Sequence, residues 1–574
     1  MRTWKQTAAL RAILAREVGT IHKDHGGKLK VALAYPNSYH VGMSSLALHI
    51  LYRGFNSRPD VVCERVFWDE AAAGQPLLSL ESQTPVQEFD VLAFTLSFEL
   101  DYLHVVAMLR QAGLEPLAER RQQAEAAMAA PRTPLLIAGG PAVSANPEPM
   151  APFFDAIVIG EGEEILPALT DLLVEGVGES RQRLLDALDT LPGVYVPSRL
   201  TPAPDGRRIQ RLWVRDSSLL HPVSCLYTPD TEFPNRHLVE IARGCGRGCR
   251  FCLAGYVYRP PREQPLPRIL EWVKEGMEAR GGDGFRPAGI GLISAAVSDH
   301  SQIDELAEEL QALGVRISIS SMRADPISIP MLRALAASGT QTLTIAPEAG
   351  SERLRRVIGK EQSESDLLAA VELAQKLGFP QLKLYFMVGH PGETEEDIEA
   401  IINLTLKARA IFRRNLVINA TPFVPKAHTP FQWEAMTPAA VVQARQNRLR
   451  RALARHSVAV NADPASWAAV QGVLARGDRR LAPALLEMER PTARSFYQAL
   501  ARHGLDAETY LAARDPNGFQ PWQVVDGGVR PDYLRREHRL ALAGQPGHRC
   551  PPGALACAAC GVCRVTLAPP GRLQ

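Results

Sequence analysis

Long apolar runs are missing from this 574-residue chain, and none reaches the roughly 20 residues that a membrane-spanning helix requires. The opening stretch, Met1 to Lys30, is polar and mixed in charge, so no secretory leader is expected and no membrane partner; the cytoplasm is the expected compartment. A surplus of charge is lacking too, with 64 Lys and Arg against 62 Asp and Glu, which leaves no overall field to draw the protein to nucleic acid or lipid. At 46% hydrophobic and 22% charged residues the composition is that of a folded globular protein, and the length calls for several cores. Cysteine is scarce and unevenly spread, with seven of the nine falling in two tight groups at 245–252 and 550–563. That spacing suits metal ligation in a reducing compartment rather than a disulfide framework. Cys63 and Cys225 stand alone and read as small buried hydrophobes.

The first group lies in Ile241-Ala-Arg-Gly-Cys245-Gly-Arg-Gly-Cys249-Arg-Phe251-Cys252, a CxxxCxxC run. It offers three thiolates where a cubane iron–sulfur cluster normally takes four. A coordination position left open marks a site built for chemistry. The second group, Cys550 followed by Cys557-Ala-Ala-Cys560-Gly-Val-Cys563, offers four thiolates. Four can close a zinc site or a second iron–sulfur cluster, and the spacing does not choose between them.

Short apolar segments at Lys30–Ala34, Val91–Leu96, Leu135–Ala138 and Ala156–Ile159 each run into Gly, Pro or Ser, with helical stretches between them. The fold class is α/β, with a doubly wound parallel sheet over 29–172 behind an N-terminal extension at 1–28. Ligands of such sheets sit beyond the carboxyl ends of the strands. One rim therefore gathers the loops that carry His40, Gly42, Ser97, Gly139, Gly140, Gly160 and Gly162, where glycine lets the backbone approach a bulky ligand. Residues 173–235 read as a linker with a short hairpin. From 236 to 456 strands and helices alternate again, the pattern of a partial (β/α) barrel. The stretch 457–574 is mainly helical and ends in the second cysteine group.

With its CxxxCxxC triplet and Phe251 before the last cysteine, the chain resembles the radical S-adenosylmethionine (SAM) superfamily. The resemblance implies a 4Fe-4S cluster on Cys245, Cys249 and Cys252, with SAM at the open iron. Ile317-Ser-Ile-Ser320-Ser-Met-Arg323 resembles the strand that meets the SAM carboxylate and ribose, and Arg suits a carboxylate clamp. Thr344-Ile-Ala-Pro-Glu348 resembles the next strand, and Lys383 to Gly389, with Gly392 in its turn, resembles the one flanking the adenine. The acids from Glu393 to Asp397 read as helix capping. A Gly-Gly-Glu sequence that holds the SAM amino group in many members is missing, and Ser294 occupies its place.

The rim loops, above all Gly139-Gly140-Pro141 and Asp155-Ala-Ile-Val-Ile-Gly160-Glu-Gly162-Glu163, resemble those of the cobalamin-binding domain that precedes many radical SAM barrels. The DxHxxG motif that presents histidine to cobalt is absent, and His40 is the nearest substitute. Cobalamin would then bind with its lower face free of protein histidine, or the domain would be a vestigial scaffold. Val41-Gly-Met-Ser44, Glu64-Arg-Val-Phe67, Phe423-Val-Pro-Lys-Ala-His-Thr-Pro-Phe431 and Arg476-Gly-Asp-Arg-Arg480 extend the likeness to nearly the full length of one uncharacterised family of radical SAM proteins with a B12-binding domain.

Membership implies reductive cleavage of SAM, driven by a reductant such as flavodoxin or ferredoxin, to a 5′-deoxyadenosyl radical that attacks an unreactive carbon. Methylation through cobalamin, including of RNA, is the leading expectation. The alternatives are a cobalamin-free sulfur insertion like that of tRNA methylthiotransferases, whose barrel this one resembles, and a non-catalytic iron–sulfur redox sensor. Arg445, Arg448, Arg450, Arg451 and Arg455, with Arg476, Arg479 and Arg480, offer contacts to RNA phosphates. The near-zero net charge favours the plainer reading, a solvated face balanced by acids.

Overall fold

A computed structural model of the chain describes residues 4–127, 132–217, 220–279, 284–488, 491–551 and 557–564. Six strands form the first sheet: β1 (Leu29–Tyr35), β2 (Val61–Phe67), β3 (Val91–Thr95), β4 (Leu135–Gly139), β5 (Ala156–Val158) and β6 (Val194–Tyr195). Their order is β2-β1-β3-β4-β5-β6, parallel except for β6. β1 is apolar apart from Lys30 near its start, because both faces are covered, as parallel sheets require. Leu29, Val31, Leu33 and Tyr35 face one core with helices Leu46–Asn56 and Gly162–Glu175, and Ala32 and Ala34 face another. The strand order reverses between β1 and β3, which sets the ligand crevice between the loops that follow them.

β2 escapes the sequence pattern because Glu64 and Arg65 interrupt its apolar run. Both are buried all the same. The Arg65 guanidinium meets Glu81 and Glu17, each at 2.7 Å, and lies over the Tyr52 ring. Charge in a strand is tolerated inside when it is paired and hydrogen-bonded.

The second body is an open barrel of parallel strands. Ile317–Ser318, Gly289–Ile293 and Arg236–Glu240 pair in that order, and Thr342–Glu348, Gln381–Val388, Asn415–Pro422 and Ala459–Asn461 follow in a second run. A bridge between Met322 and Ile345 links the two runs. Burial alternates along Gln381–Val388: Leu382, Leu384, Phe386 and Val388 pack under the outer helices, which leaves Lys383, Tyr385 and Met387 on the lumen face.

Among the described residues, the hairpin expected between 173 and 235 is not found. Ile209–Gln210 pairs instead with Val525–Asp526 from the far end of the chain. Helices Ala465–Arg476, Ala482–Glu487, Ala493–Arg502 and Ala507–Leu511 share one continuous core with the first sheet. The Arg476–Arg480 segment secures that union. Arg476, fully buried, donates to the carbonyls of Tyr510, Ala512, Gln432 and Glu434, and Arg479 pairs with Glu148 at 2.8 Å. Among the described residues no helix is long and apolar enough to cross a membrane.

Candidate active site and the two cysteine groups

Cys245, Cys249 and Cys252 lie on one loop that leaves the barrel after Ala242–Arg243. Gly244 and Gly248 have φ of +78° and +75°, the left-handed region that glycine adopts without cost. Three arginines bolt the loop down. Arg247 forms a fork with Asp299, 2.7 Å at both oxygens, and Arg243 pairs with Glu240 at 2.6 Å. Arg250, fully buried, donates to the carbonyls of Val357 (2.8 Å) and Gln545 (3.0 Å).

Burial raises the thiols of Cys245 and Cys252, the latter to about 12, and Cys249 adds to the rise in both. Without metal they hold their protons, so loading iron must release them. The charge of Arg323 reaches Cys245, and that of Glu348 reaches Cys252. The barrel thus brings together the triplet, Arg323 and Glu348. Glu348 has φ +68° at an irregularity in its strand and is paired with Lys360 at 2.9 Å. A left-handed glutamate is uncommon and held by its surroundings.

Phe251 lies 5.8 Å, centre to centre, from the His390 ring, which is 5.5 Å from Phe423. His390 is buried, and burial pushes it down to about 4 against the opposing pull of the Glu348 backbone. The Ser294 hydroxyl accepts from the Ala296 amide at 3.2 Å, and Ser320 is exposed. Gly389, at φ +95°, closely approaches Thr437 and Val442, whereas a side chain on Gly392 would meet nothing within 4 Å. Glu393 accepts from the Gly389 amide at 2.6 Å, and the helix cap proper is formed by Thr394 and Asp397.

Around the first sheet, His40 is half-exposed, 3.2 Å from Glu232. Gly42 packs under the Phe67 ring, and Ser97 hydrogen-bonds Tyr35. A Cβ on Gly140 would strike the Leu96 backbone at 2.5 Å, and one on Gly160 the Leu212 backbone at 2.2 Å. Those two glycines admit the chain's own neighbours. Gly139 and Gly162 are less crowded, with nearest atoms at 3.8 and 3.5 Å. The rim is locked to the barrel at two places. Glu161 accepts from Arg262 (2.5 and 2.9 Å) and Arg243 (3.2 Å), and Glu99 accepts from Lys426 at 2.6 and 2.7 Å.

The second cysteine group lies against the first. The Cys550 amide donates to the Gly246 carbonyl at 2.7 Å, and a Cβ on Gly248 would sit 2.6 Å from the His548 carbonyl. Cys560 is buried with Tyr256, Trp433, Tyr533 and Val562. Burial and the neighbouring thiols raise both Cys550 and Cys563, while Arg259 opposes the rise. Among the described residues, no three or more His, Cys, Asp or Glu side chains converge as they do around a single metal ion. Three thiolates suit a cubane with one open iron, and four suit either a second cluster or zinc. The basic helix Ala439–Ala454 is largely self-satisfied, since Arg445 pairs with Glu393 and Glu395, and Arg448 with Glu395 and Glu399. The ion pairs of Glu161 and Lys426 carried no signal in the sequence, because their partners are remote along the chain.

The profile described as radical SAM proteins, N-terminal, matches residues 47–197, and that of the radical SAM superfamily matches 239–405. The uncharacterised protein MJ0966 of Methanocaldococcus jannaschii is 32% identical over 86% of this chain and 98% of its own length. A tRNA-2-methylthio-N(6)-dimethylallyladenosine synthase of Pelotomaculum thermopropionicum is 25% identical over 34% of this chain and 45% of its own. The solved radical SAM methyltransferase TsrM of Kitasatospora setae, with cobalamin and a 4Fe-4S cluster, aligns with TM-score 0.46 and 14% identity over 72% of this chain and 80% of that one. With its cysteine loop at the edge of an open parallel barrel and its likeness to MJ0966 over almost the whole of that protein, this chain belongs to the radical SAM superfamily and is a radical SAM enzyme.

Proposed function

We propose that the protein methylates, or otherwise modifies, an unactivated carbon, with cobalamin as methyl carrier between the first sheet and the barrel. The observation that carries this reading is the docking of the sheet's carboxyl rim onto the cluster-bearing side of the barrel through Glu161, Arg243 and Arg262. Val41 and Phe98 are among the few exposed large apolar side chains and stand on the two loops that flank the crevice. Exposed apolar groups at a switch point fit a broad, flat cofactor. His40 turns to Glu232, so the fit is to a cobalamin without a protein histidine on cobalt.

A 4Fe-4S cluster with SAM bound supplies a 5′-deoxyadenosyl radical when reduced, and a low-potential donor such as flavodoxin or ferredoxin suits that step. The chain's own part is to hold the cysteine loop with Arg247 and Arg250, present Arg323 and Glu348 beside it, and keep the site dry with Phe251, His390 and Phe423. RNA as substrate is supported by the tRNA-modifying relatives and not by the basic helix, whose leading arginines are already paired.

Anaerobic reconstitution with iron, sulfide and hydroxocobalamin, followed by metal analysis and assay of deoxyadenosine from SAM, tests the proposal. About one cobalt per chain, with deoxyadenosine that Cys249→Ala abolishes, is expected. Deoxyadenosine without cobalt retention would overturn the cobalamin assignment and leave sulfur insertion as the better reading; an intact cluster that never cleaves SAM would point to the sensor.

A further inference from the structure

Among the described residues, the Arg259 guanidinium has both terminal nitrogens buried without a carbonyl or carboxylate partner. It is 1% exposed, its Nε donates to the Gly255 carbonyl at 2.7 Å, and the Tyr533 hydroxyl lies within its reach. Both terminal nitrogens lack a partner of normal geometry. The Tyr256 and Tyr533 rings hold the group in place at 4.6 and 5.3 Å. Two aromatic faces fix the orientation of a cation but do not replace an anion. A buried guanidinium with idle N–H groups is expensive unless something negative lies beside it.

Among the described residues no carboxylate pairs with it, and Glu537 is turned to Arg250. The terminal cysteines lie there instead. Cys550, Cys557, Cys560 and Cys563 are within charge range of one another, and Arg259 is within range of Cys550 and Cys560. On its other side, a terminal nitrogen of Arg259 lies 4.0 Å from where a Cβ on Gly248 would be, one residue from Cys249.

We propose that Arg259 is the built-in counter-cation of a second iron–sulfur cluster held by Cys550, Cys557, Cys560 and Cys563, and that its guanidinium sets how readily that cluster accepts an electron. A cubane on four thiolates is a net anion whose potential follows net charge and hydrogen bonds to sulfur. Arg259 offers both, a positive charge and terminal N–H groups without a carboxylate or carbonyl partner among the described residues. Zinc on the same four thiolates is the competing outcome, and counting the bound metal separates the two. The proposal rests on the terminal cysteines binding metal, and it is independent of cobalamin and of the substrate.

The test uses the full chain with Cys245, Cys249 and Cys252 changed to Ala, so that only the terminal group remains. The protein is reconstituted without oxygen with iron, sulfide and zinc together, then compared with the same protein carrying Arg259→Met or Arg259→Lys. Iron and zinc are counted, and the cluster is titrated with dithionite while its electron paramagnetic resonance signal is followed. Expected are about four irons per chain in the parent, a lower midpoint potential in Arg259→Met because a positive charge is gone, and a value near the parent in Arg259→Lys. Should Arg259→Met fail to assemble a cluster, assembly in Arg259→Lys still supports the charge role, and equal loss in both folded variants overturns it. Iron at an unshifted potential in Arg259→Met overturns the role of Arg259 alone. Zinc in place of iron, or no metal, overturns the reading of the terminal cysteines.

Discussion

At Glu161 one carboxylate, 2% exposed, accepts two bonds from Arg262 at 2.5 and 2.9 Å, one from Arg243 at 3.2 Å and one from the Val214 amide at 2.9 Å. Burial works to raise it, and the Arg262 and Arg243 guanidinia outweigh burial, so its carboxyl lies below the usual range. Glu161→Gln keeps the shape and removes the charge, leaving two arginines facing each other in the interior. The expected cost is about 2–4 kcal/mol, read as a lower urea midpoint. A midpoint within error of the parent would mean that the rim is held to the barrel by other contacts. Gly160 and Gly162 on either side are legible in the sequence as a tight loop. Glu161 is not, because its partners lie 82 and 101 residues away, beyond any local pattern.

At the scale of elements, the cysteine loop and the strands around it show where periodicity suffices. β1, β3, β4 and β5 are largely apolar runs bounded by turn residues, and the expected segments match them to within a residue or two. β2 is hidden by its buried ion pairs, and Ile209–Gln210 by a partner strand at the other end of the chain. The spacing of the cysteines is likewise legible, but not that the two groups meet. Their junction depends on Gly248, whose φ of +75° and lack of a Cβ let the His548 carbonyl come in. Gly248→Ala should strain the loop by about 1–3 kcal/mol and push the 548–550 segment away. The outcome expected is loss of iron from the terminal group with most of the triplet's iron retained, measured in variants that keep one group each. Equal retention at both would show that the two loops do not support one another.

Across the whole molecule, sequence periodicity reveals that a helix face is apolar but not what it will rest on, so the core shared by the first sheet and the terminal helices appears only in three dimensions. That shared core, with Arg476 and Glu161 as clamps, couples distant titrating groups to one folding equilibrium. His49 in the first domain and His237 and His390 in the barrel are each at most 2% exposed, and burial lowers each from 6.5 to about 4. Below pH 6.5 the unfolded chain takes up a proton at each of them and the folded chain does not, so the stability they contribute is full above 6.5 and is lost on acidification toward 4. Glu393 acts oppositely: burial raises it from 4.5 to about 7, so the folded state holds a proton that the unfolded chain gives up, and acidification through that window favours folding. With His428, which burial also lowers to about 4, four groups against one leave a net uptake of about three protons on unfolding between pH 6.5 and 4.5, a slope of about 4 kcal/mol per pH unit. Urea unfolding of the metal-free protein at pH 7.5, 6.5 and 5.5 should therefore show little change over the first step and a sharp loss over the second. Stability that held or rose between pH 6.5 and 5.5 would mean that these histidines are solvated in the folded state, and with them that the packing of His390 against Phe251 and Phe423 beside the cluster loop is looser than its ring contacts indicate.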